Sequence, residues 1–195
     1  MDLYLFDFDG TLYKKDSMIE YIKFLHKNIL KYYFINFLFI PFFILKKINM
    51  ISIQKYKKIF LKIHFFYYSK VYLNNTSRLF AKHCLKDLYS NVSSFVKNKH
   101  GDKCIVTASL DVWMNEISNE LSIELICTKS VFKNEKFYDI SLNCNNNEKV
   151  NRIIEKFNLS KYENIFIYGN SSGDKEMYNL GKSYHNFFKY NEQKI

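Results

Sequence analysis

Two carboxylates stand one residue apart near the start of the chain, where Asp7 and Asp9 occur in the segment DFDGTL. Alternate residues of a strand point to the same side, so both acids can reach one side as a strand ends, and Gly10 allows a sharp turn after them. Carboxylates this close repel each other unless a cation neutralises them, and Mg²⁺ prefers such hard oxygen ligands. The pair predicts attack on phosphorus by one carboxylate and proton transfer by the other, with a plain cation site or an Asx turn as the alternative.

Two later segments contain groups that bind phosphate. Thr107 and Ala108 follow an apolar run, and at a strand end they would offer a hydroxyl and an exposed backbone N–H to a phosphate oxygen. Lys149 opens a predicted helix, where its ammonium would offset the charge of carboxylates and phosphate. Taken separately, the first segment also fits a helix cap. Lys149 also fits a solvated surface, because the chain has 29 Lys and Arg residues.

The surrounding sequence predicts alternating strands and helices. Asp2–Phe8 is an apolar run typical of a buried strand, and apolar spacings of three and four predict helices from Met18 to about Lys99. Further elements are predicted at Lys103–Thr107, Asp111–Leu121, Ile123–Cys127, Glu148–Phe157, Asn164–Tyr168, Asp174–Leu180 and Tyr184–Phe188, with a hairpin over Ser130–Leu142.

This order of elements predicts an α/β fold with a Rossmann-like parallel sheet. Residues 1–15 and 100–195 would form the catalytic core. Residues 16–99 would form an all-helical cap domain, inserted between the first strand and the rest of the core. Ligands of such sheets bind beyond the carboxyl ends of the strands, which is where Asp7, Asp9 and Thr107 lie.

The segment DxDGT after an apolar N-terminal strand resembles the first motif of the phosphatases of the haloacid dehalogenase (HAD) superfamily. In that family the first Asp is the nucleophile and the second is the general acid/base. The resemblance therefore implies that Asp7 attacks phosphorus and that Asp9 protonates the leaving alcohol, with Gly10 beside the phosphate.

Three later segments are similar to the remaining motifs of the superfamily. Ile105–Ser109 (IVTAS) resembles the second motif, in which Thr107 and Ala108 would hold the phosphoryl group, and Lys149 would be the lysine of the third. Tyr168–Asp174 (YGNSSGD) resembles the fourth, usually GDxxxD, with Asn170 in place of the first acid and Asp174 as the second.

The resemblance implies a Mg²⁺-dependent phosphomonoester hydrolase that works through an aspartyl-phosphate on Asp7. Mg²⁺ would be bound by Asp7, the Asp9 carbonyl, Asn170 and Asp174. Since Asn170 adds no charge, a catalytically weakened protein that binds phosphate without turnover stays open. A phosphotransferase that passes the phosphoryl group to an acceptor alcohol is also open.

The position of the helical insert resembles the cap of the phosphoserine-phosphatase-like branch of the superfamily. Asp16 falls where those enzymes have a Glu that contacts the amino group of the substrate, and it also fits a helix N-cap. The hydrophobic character of the insert looks more like bacterial phosphatidylglycerophosphatases of this superfamily. The alternative function is therefore a lipid phosphatase at the membrane face.

An apolar run at Tyr32–Leu45 follows Lys31 and precedes Lys46 and Lys47. It falls short of the ~20 apolar residues that a transmembrane helix needs, and Asn36 and Pro41 are expected to interrupt it. The favoured interpretation is a buried helix pair or a hydrophobic part of the cap. The alternative is an interfacial anchor whose lysines meet anionic headgroups.

Composition limits which classes of partner and which cell compartment fit the protein. The formal net charge of +10 fits a phosphorylated small molecule, a phospholipid, an anionic membrane surface or a solvated Lys-rich surface. No nucleic acid is expected, because Arg-rich runs and zinc-finger spacings are absent from the sequence. The four cysteines form no CxxC pair, and Asp7 breaks the first apolar run, which argues against a signal peptide. We therefore expect a cytoplasmic protein, with membrane association as an alternative.

Overall fold

The computed structural model describes residues 1–192, and positions 193–195 of the predicted core segment lie outside the described residues. The described strands are β1 (Asp2–Phe6), β2 (Asp102–Leu110), β3 (Glu124–Thr128), β4 (Ser130–Lys133), β5 (Lys136–Ile140), β6 (Asn164–Gly169) and β7 (Lys182–His185). Five of them form one parallel sheet in the order β3-β2-β1-β6-β7. The first strand therefore lies in the middle of the sheet, and the predicted α/β fold is confirmed.

Helices fill the chain between β1 and β2. They are α1 (Ser17–His26), α2 (Ile29–Lys47), α3 (Ile53–Phe65), α4 (Lys70–Cys84) and α5 (Val92–Asn98), with a short 3₁₀ turn at Leu85–Asp87. Three more helices follow β2, namely α6 (Asp111–Leu121), α7 (Asn147–Lys156) and α8 (Phe187–Asn191). The predicted helical insert between the first strand and the rest of the sheet is thus confirmed.

Short polar side chains set the starts of the first four helices. The side chains of Asp16, Asn28, Ser52 and Ser69 accept hydrogen bonds from backbone N–H groups in the first turns of α1, α2, α3 and α4. These N–H groups have no partner within their own helix, so such caps fix where each helix begins.

The hydrophobic core lies on both faces of the sheet. Tyr4 and Phe6 of β1 pack on the face that also contacts the inserted helices, and Leu3 and Leu5 pack on the other. The ring of Tyr21 in α1 stacks on the Trp113 ring of α6, with centroids 5.0 Å apart. The insert therefore shares one hydrophobic cluster with the sheet, and the division of the chain at residues 16 and 99 stays a prediction.

The hairpin predicted over Ser130–Leu142 is present as the antiparallel pair of β4 and β5. Asn134 and Glu135 connect the strands with positive φ angles of 47° and 61°. This backbone is that of the tight two-residue turns which match the twist of a hairpin.

Two predicted elements near the C-terminus differ from the structure. The helix predicted at Asp174–Leu180 is replaced by 3₁₀ turns at Ser172–Asp174 and Met177–Leu180. A segment this short forms few of the backbone bonds of a helix, and the Asp174 side chain is tied to the preceding loop instead. The last strand, predicted at Tyr184–Phe188, instead covers Lys182–His185, and the end of the predicted segment forms the start of α8 at Phe187.

The apolar run is not a buried helix pair, and it belongs to a single, largely exposed helix of the insert. The run lies within α2, a helix of 19 residues of which only Tyr32 and Phe39 are buried. The helix also continues through Asn36, whose side chain donates to the Tyr32 carbonyl at 2.8 Å, and through Pro41. By length and composition alone α2 suffices to cross a membrane, with a mean hydropathy of 1.5.

Candidate active site

Neighbouring strands bring the predicted site residues to one edge of the sheet. Asp7 follows β1, Thr107 lies in β2 and Asn170 follows β6, so all three lie at the carboxyl ends of adjacent parallel strands. The Asp7 N–H donates to the Tyr168 carbonyl at 2.8 Å, which extends the pairing of β1 with β6 up to the nucleophile position. This is the edge at which such sheets bind ligands.

A buried lysine connects two of the predicted metal ligands. The Lys149 ammonium lies 2.7 Å from Asp7 Oδ1 and 2.6 Å from Asp174 Oδ1. All three side chains are buried, and Lys149 is only 1% exposed. Asp7 Oδ2 accepts a hydrogen bond from the Thr11 hydroxyl at 3.2 Å. The third-motif lysine therefore contacts the predicted nucleophile directly.

The charges of this cluster do not balance. Burial raises the pKa of Asp7, the Lys149 ammonium opposes this, and the Asp174 carboxylate adds to it. Burial also acts to raise the pKa of Asp174, but Lys149 outweighs it and lowers that pKa. Burial acts to lower the pKa of Lys149, yet the two carboxylates outweigh it and raise that pKa. Lys149 and Asp174 thus form an ionised pair, and the raised pKa of Asp7 means that Lys149 does not fully offset its negative charge, so a cation would favour the charged form of Asp7.

The fourth-motif loop is held by Asp174. Its Oδ2 accepts hydrogen bonds from the Asn170 N–H at 3.1 Å and from the N–H and hydroxyl of Ser171 at 3.0 and 2.9 Å. Asn170 packs so closely on Gly10, which has a φ of 75°, that a Cβ on Gly10 would lie 2.0 Å from Asn170 Nδ2. The loop is therefore fixed beside the first motif, and only glycine fits at position 10.

The donor set fits Mg²⁺. Asn170 Oδ1 is buried without a hydrogen-bond partner, although a buried polar oxygen normally has one. Asp7 and Asp174 supply two further oxygens of the kind that Mg²⁺ prefers, and the surplus negative charge favours a cation. Within residues 1–192, no group of three or more His, Cys, Asp and Glu residues is arranged to hold a metal. A site here therefore needs the Asn170 amide oxygen and the predicted Asp9 carbonyl as well.

Asp9 has surroundings different from those of Asp7. Its carboxylate accepts hydrogen bonds from the Ser17 N–H at 2.7 Å and from the Ser109 hydroxyl at 2.6 Å. Burial, helped by the negative charge of Asp16, raises the pKa of Asp9 to about 7 although both serines oppose this. Two acids separated by one residue thus differ in their partners, which is how a site gives carboxylates different roles.

Three residues around Asp9 have no functional role in the sequence-based prediction. The hydroxyls of Ser17 and Ser109 lie 2.9 Å apart, and Trp113 Nε1 donates to the Ser17 hydroxyl at 3.0 Å. Ser109 belongs to the second motif, so its position was a signal, whereas Ser17 looked only like the start of a helix. Trp113 is buried in the hydrophobic core and also holds Ser17.

The second motif is held by a buried lysine that sequence reasoning missed. The Ala108 carbonyl accepts hydrogen bonds from Lys57 Nζ of α3 and, at 2.7 Å, from the Thr128 hydroxyl. Lys57 Nζ also donates to Asn143 Oδ1 at 2.9 Å. The predicted phosphate ligand Thr107 is buried, and its hydroxyl accepts from the Ser109 N–H at 3.1 Å. The insert thus reaches the peptide predicted to bind phosphate.

Because Lys57 is buried, the free energy of unfolding should rise with pH in the alkaline range. Burial lowers its pKa from 10.5 to about 8, although Asp9 and Asp16 oppose this. Between these values the unfolded chain binds more protons than the folded protein, so raising the pH stabilises the fold. Relative to Lys57→Met, the wild type should gain roughly 3 kcal/mol of unfolding free energy at most across this range.

The measurement is urea unfolding of both proteins from neutral pH to above pH 10. Lys55→Met replaces an exposed lysine of the same helix and should show no such trend. If the difference in unfolding free energy between wild type and Lys57→Met stayed constant with pH, the lowered pKa of the buried Lys57 ammonium would be contradicted.

Asp16 occupies the place of the predicted substrate-selecting residue and acts as a helix cap. Its Oδ1 accepts from the Ile19 N–H at 3.0 Å, and the side chain is exposed. Contact of Asp16 with a substrate stays a prediction.

Comparison with known proteins identifies the family of this α/β chain. The model of the haloacid dehalogenase-like hydrolases matches residues 4–178. The chain therefore belongs to this family, and the predicted superfamily and hydrolase class are confirmed. A search of the curated proteins found no match to the sequence.

Solved structures share the fold. A protein of unknown function from Bordetella pertussis Tohama I is 16% identical, with a TM-score of 0.80 over 99% of this chain and 95% of that one. A phosphoserine phosphohydrolase-like protein from Francisella tularensis is 20% identical, with a TM-score of 0.64 over 93% and 83%. A phosphoserine phosphatase as a phospho-aspartyl intermediate analogue is 15% identical, with a TM-score of 0.60 over 96% and 89%. At these identities the similarity establishes the fold alone.

Proposed function

We propose that the protein is a Mg²⁺-dependent phosphomonoester hydrolase in which Asp7 is the nucleophile and Asp9 the general acid/base. The observation that carries the proposal is that the two acids, Asp7 and Asp9, have different partners. Asp7 is 2.7 Å from the Lys149 ammonium, whereas Asp9 is bound by the Ser17 N–H and the Ser109 hydroxyl. The Lys149 ammonium favours the charged form of the nucleophile, and burial, which raises the pKa of Asp9 to about 7, allows that carboxyl group to carry a proton.

In the first half-reaction an Asp7 oxygen bonds to phosphorus while the bond to the leaving alcohol breaks, and Asp9 gives its proton to that alcohol oxygen. In the second half-reaction Asp9 takes a proton from water, whose oxygen bonds to phosphorus and releases Asp7 and phosphate. Thr107, the Ala108 N–H and Lys149 bind the phosphoryl oxygens, beside Gly10. Such proton transfer by a positioned side chain typically contributes about 10²–10⁴-fold to the rate.

Asp7, the Asp9 carbonyl, Asn170 and Asp174 would hold the Mg²⁺. When bound, it supplies positive charge that offsets the charge of the phosphate. Removal of divalent metal with a chelator should abolish phosphate release, and added Mg²⁺ should restore it. The measurement uses phosphoserine, sugar phosphates, nucleotides and a phosphatidylglycerophosphate in micelles. Turnover of any ester that persists in chelator would contradict the metal requirement.

Two outcomes of this assay point to the other functions. Mg²⁺ or phosphate binding without turnover would support a catalytically weakened protein, since Asn170 brings no charge to the site. Transfer of the phosphoryl group to an added alcohol in preference to water would support a phosphotransferase.

A second candidate function is dephosphorylation of a phospholipid at the cytoplasmic face of a membrane. It is supported by the exposed apolar residues of α2, which a soluble substrate would not require. All four cysteines are free and buried, which supports a reducing compartment such as the cytoplasm. Preference for the lipid ester over every soluble ester of the panel would establish this function.

A further inference from the structure

One face of α2 is apolar and exposed along its whole length. We call these residues the α2 stripe, namely Leu30, Tyr33, Phe34, Phe37, Leu38, Ile40 and Ile44. Their spacings of three and four place them on one side of the helix. Leu30 is 75% exposed and Phe37 is 67% exposed. Single exposed apolar residues are common on proteins, but a continuous stripe of this length marks an interaction surface.

The opposite face of α2 fixes the helix to the rest of the insert. The Phe39 ring packs on the rings of Tyr56 and Phe60 in α3, with both pairs of centroids 5.1 Å apart. Tyr32 packs near His64, also of α3. The helix therefore lies along the protein surface, about 28 Å long from its residue count, with one side anchored and the other exposed.

The charge around the stripe is of one sign. Between Glu20 and Asp87 the chain has thirteen Lys and Arg residues and no Asp or Glu, whereas the remainder has 16 basic and 19 acidic residues. The excess positive charge of the protein is thus confined to the helical insert. Lys27 and Lys31 lie at one end of α2 and Lys46 and Lys47 at the other, and no charged residue lies between Lys31 and Lys46.

We propose that the α2 stripe binds the surface of a phospholipid bilayer that carries anionic headgroups. The aromatic and aliphatic side chains of the stripe enter the boundary between headgroups and acyl chains, and α2 lies in the plane of the membrane. The lysines at both ends contact the anionic headgroups. An apolar helix face combined with basic residues is the composition that binds such interfaces.

The α2 stripe is connected to the candidate active site through α3. Helix α3 packs on α2 through Phe60 and, from the same helix, Lys57 contacts the Ala108 carbonyl of the second motif. A docked insert would thus hold the site near the membrane surface, where a lipid phosphomonoester is available. This extension rests on the proposed function, whereas bilayer binding itself needs no turnover.

Co-sedimentation with vesicles tests the proposal. We expect the full chain to bind vesicles of phosphatidylcholine mixed with phosphatidylglycerol, and to bind phosphatidylcholine alone at least about tenfold more weakly. Phe34→Ser/Phe37→Ser should weaken binding to the anionic vesicles at least about tenfold, because two large apolar groups no longer enter the bilayer. The matched control is Leu142→Ser/Ile154→Ser, which replaces exposed apolar residues elsewhere and should bind as the wild type does.

Lys46→Gln/Lys47→Gln should also weaken binding about tenfold, whereas Lys161→Gln/Lys189→Gln, at exposed lysines outside the insert, should not. This pair keeps the test valid if the double Phe variant does not fold. Absence of wild-type binding to anionic vesicles, or binding unaffected by both α2 variants, would overturn the proposal. A dimer that Phe34→Ser/Phe37→Ser dissociates, together with no vesicle binding, would show that a second copy covers the stripe.

The same samples separate docking from catalysis. Asp7→Asn should bind vesicles as the wild type does while it loses turnover. The α2 variants should keep wild-type turnover of a soluble phosphomonoester. Vesicle binding by a protein that hydrolyses nothing would refute the proposed function and leave the docking surface intact.

Discussion

Asp7→Asn reduces kcat by roughly 10⁴–10⁶-fold, because an amide oxygen is a poor nucleophile toward phosphorus. The variant is expected to be at least as stable as the wild type. Asp7 and Asp174 share the single Lys149 ammonium, so the substitution removes the surplus negative charge and keeps an ion pair. Steady-state phosphate release and thermal unfolding of both proteins provide the two readouts.

These readouts distinguish loss of the nucleophile from loss of the fold. A folded, inactive Asp7→Asn is the expected result. Wild-type turnover with unchanged metal dependence would remove Asp7 from the mechanism.

Lys149→Met is expected to cost both activity and stability. The substitution leaves the carboxylates of Asp7 and Asp174 buried without a counter-charge, and loss of one partner from a buried ion pair typically costs about 3–5 kcal/mol. Mg²⁺ should recover part of this loss, since the cation would offset the same carboxylates. Urea unfolding with and without Mg²⁺ measures both effects.

The matched control is Lys156→Met on the same helix. Lys156 pairs with Glu124 on the surface, where their side chains are 37% and 53% exposed. Such pairs are worth about 0–1 kcal/mol, so the control should remain near wild-type stability and activity. Equal stability losses in the two variants would contradict the buried, charge-balancing role of Lys149.

The acidic pair and the succession of strands along the chain could be predicted from the sequence because both depend on local patterns. A strand that ends in Asp7 and Asp9 is visible in the period-two geometry and in the glycine that follows. The strand of residues 164–169 was visible for the same reason, and so was the loop that contains Asn170 and Asp174. Parallel strands then bring these segments to one edge without further information.

The contacts that hold the site together were not predictable, because they join residues far apart in the chain. Lys57 reaches Ala108 across 51 positions, and Ser109 reaches Asp9 across 100. Nothing in the local sequence of α3 separates Lys57 from the exposed lysines around it. Only the packing of the insert on the sheet determines which lysine is buried.

The exposure of α2 was mispredicted for a physical reason. An apolar run usually predicts burial, since burying such side chains is the main favourable contribution to folding. Hydrophobicity alone does not say whether protein or lipid covers the side chains. In α2, Tyr32 and Phe39 are buried against the insert, while the residues of the α2 stripe remain 46–75% exposed.

Trapping the covalent intermediate tests the central claim most directly. The protein would be mixed with Mg²⁺ and its best phosphomonoester, quenched during turnover and treated with borohydride, which reduces an aspartyl-phosphate to homoserine. Peptide mass spectrometry should find homoserine at position 7, and none at position 9 or in Asp7→Asn. Turnover without any modification of Asp7 under these conditions would contradict the covalent mechanism.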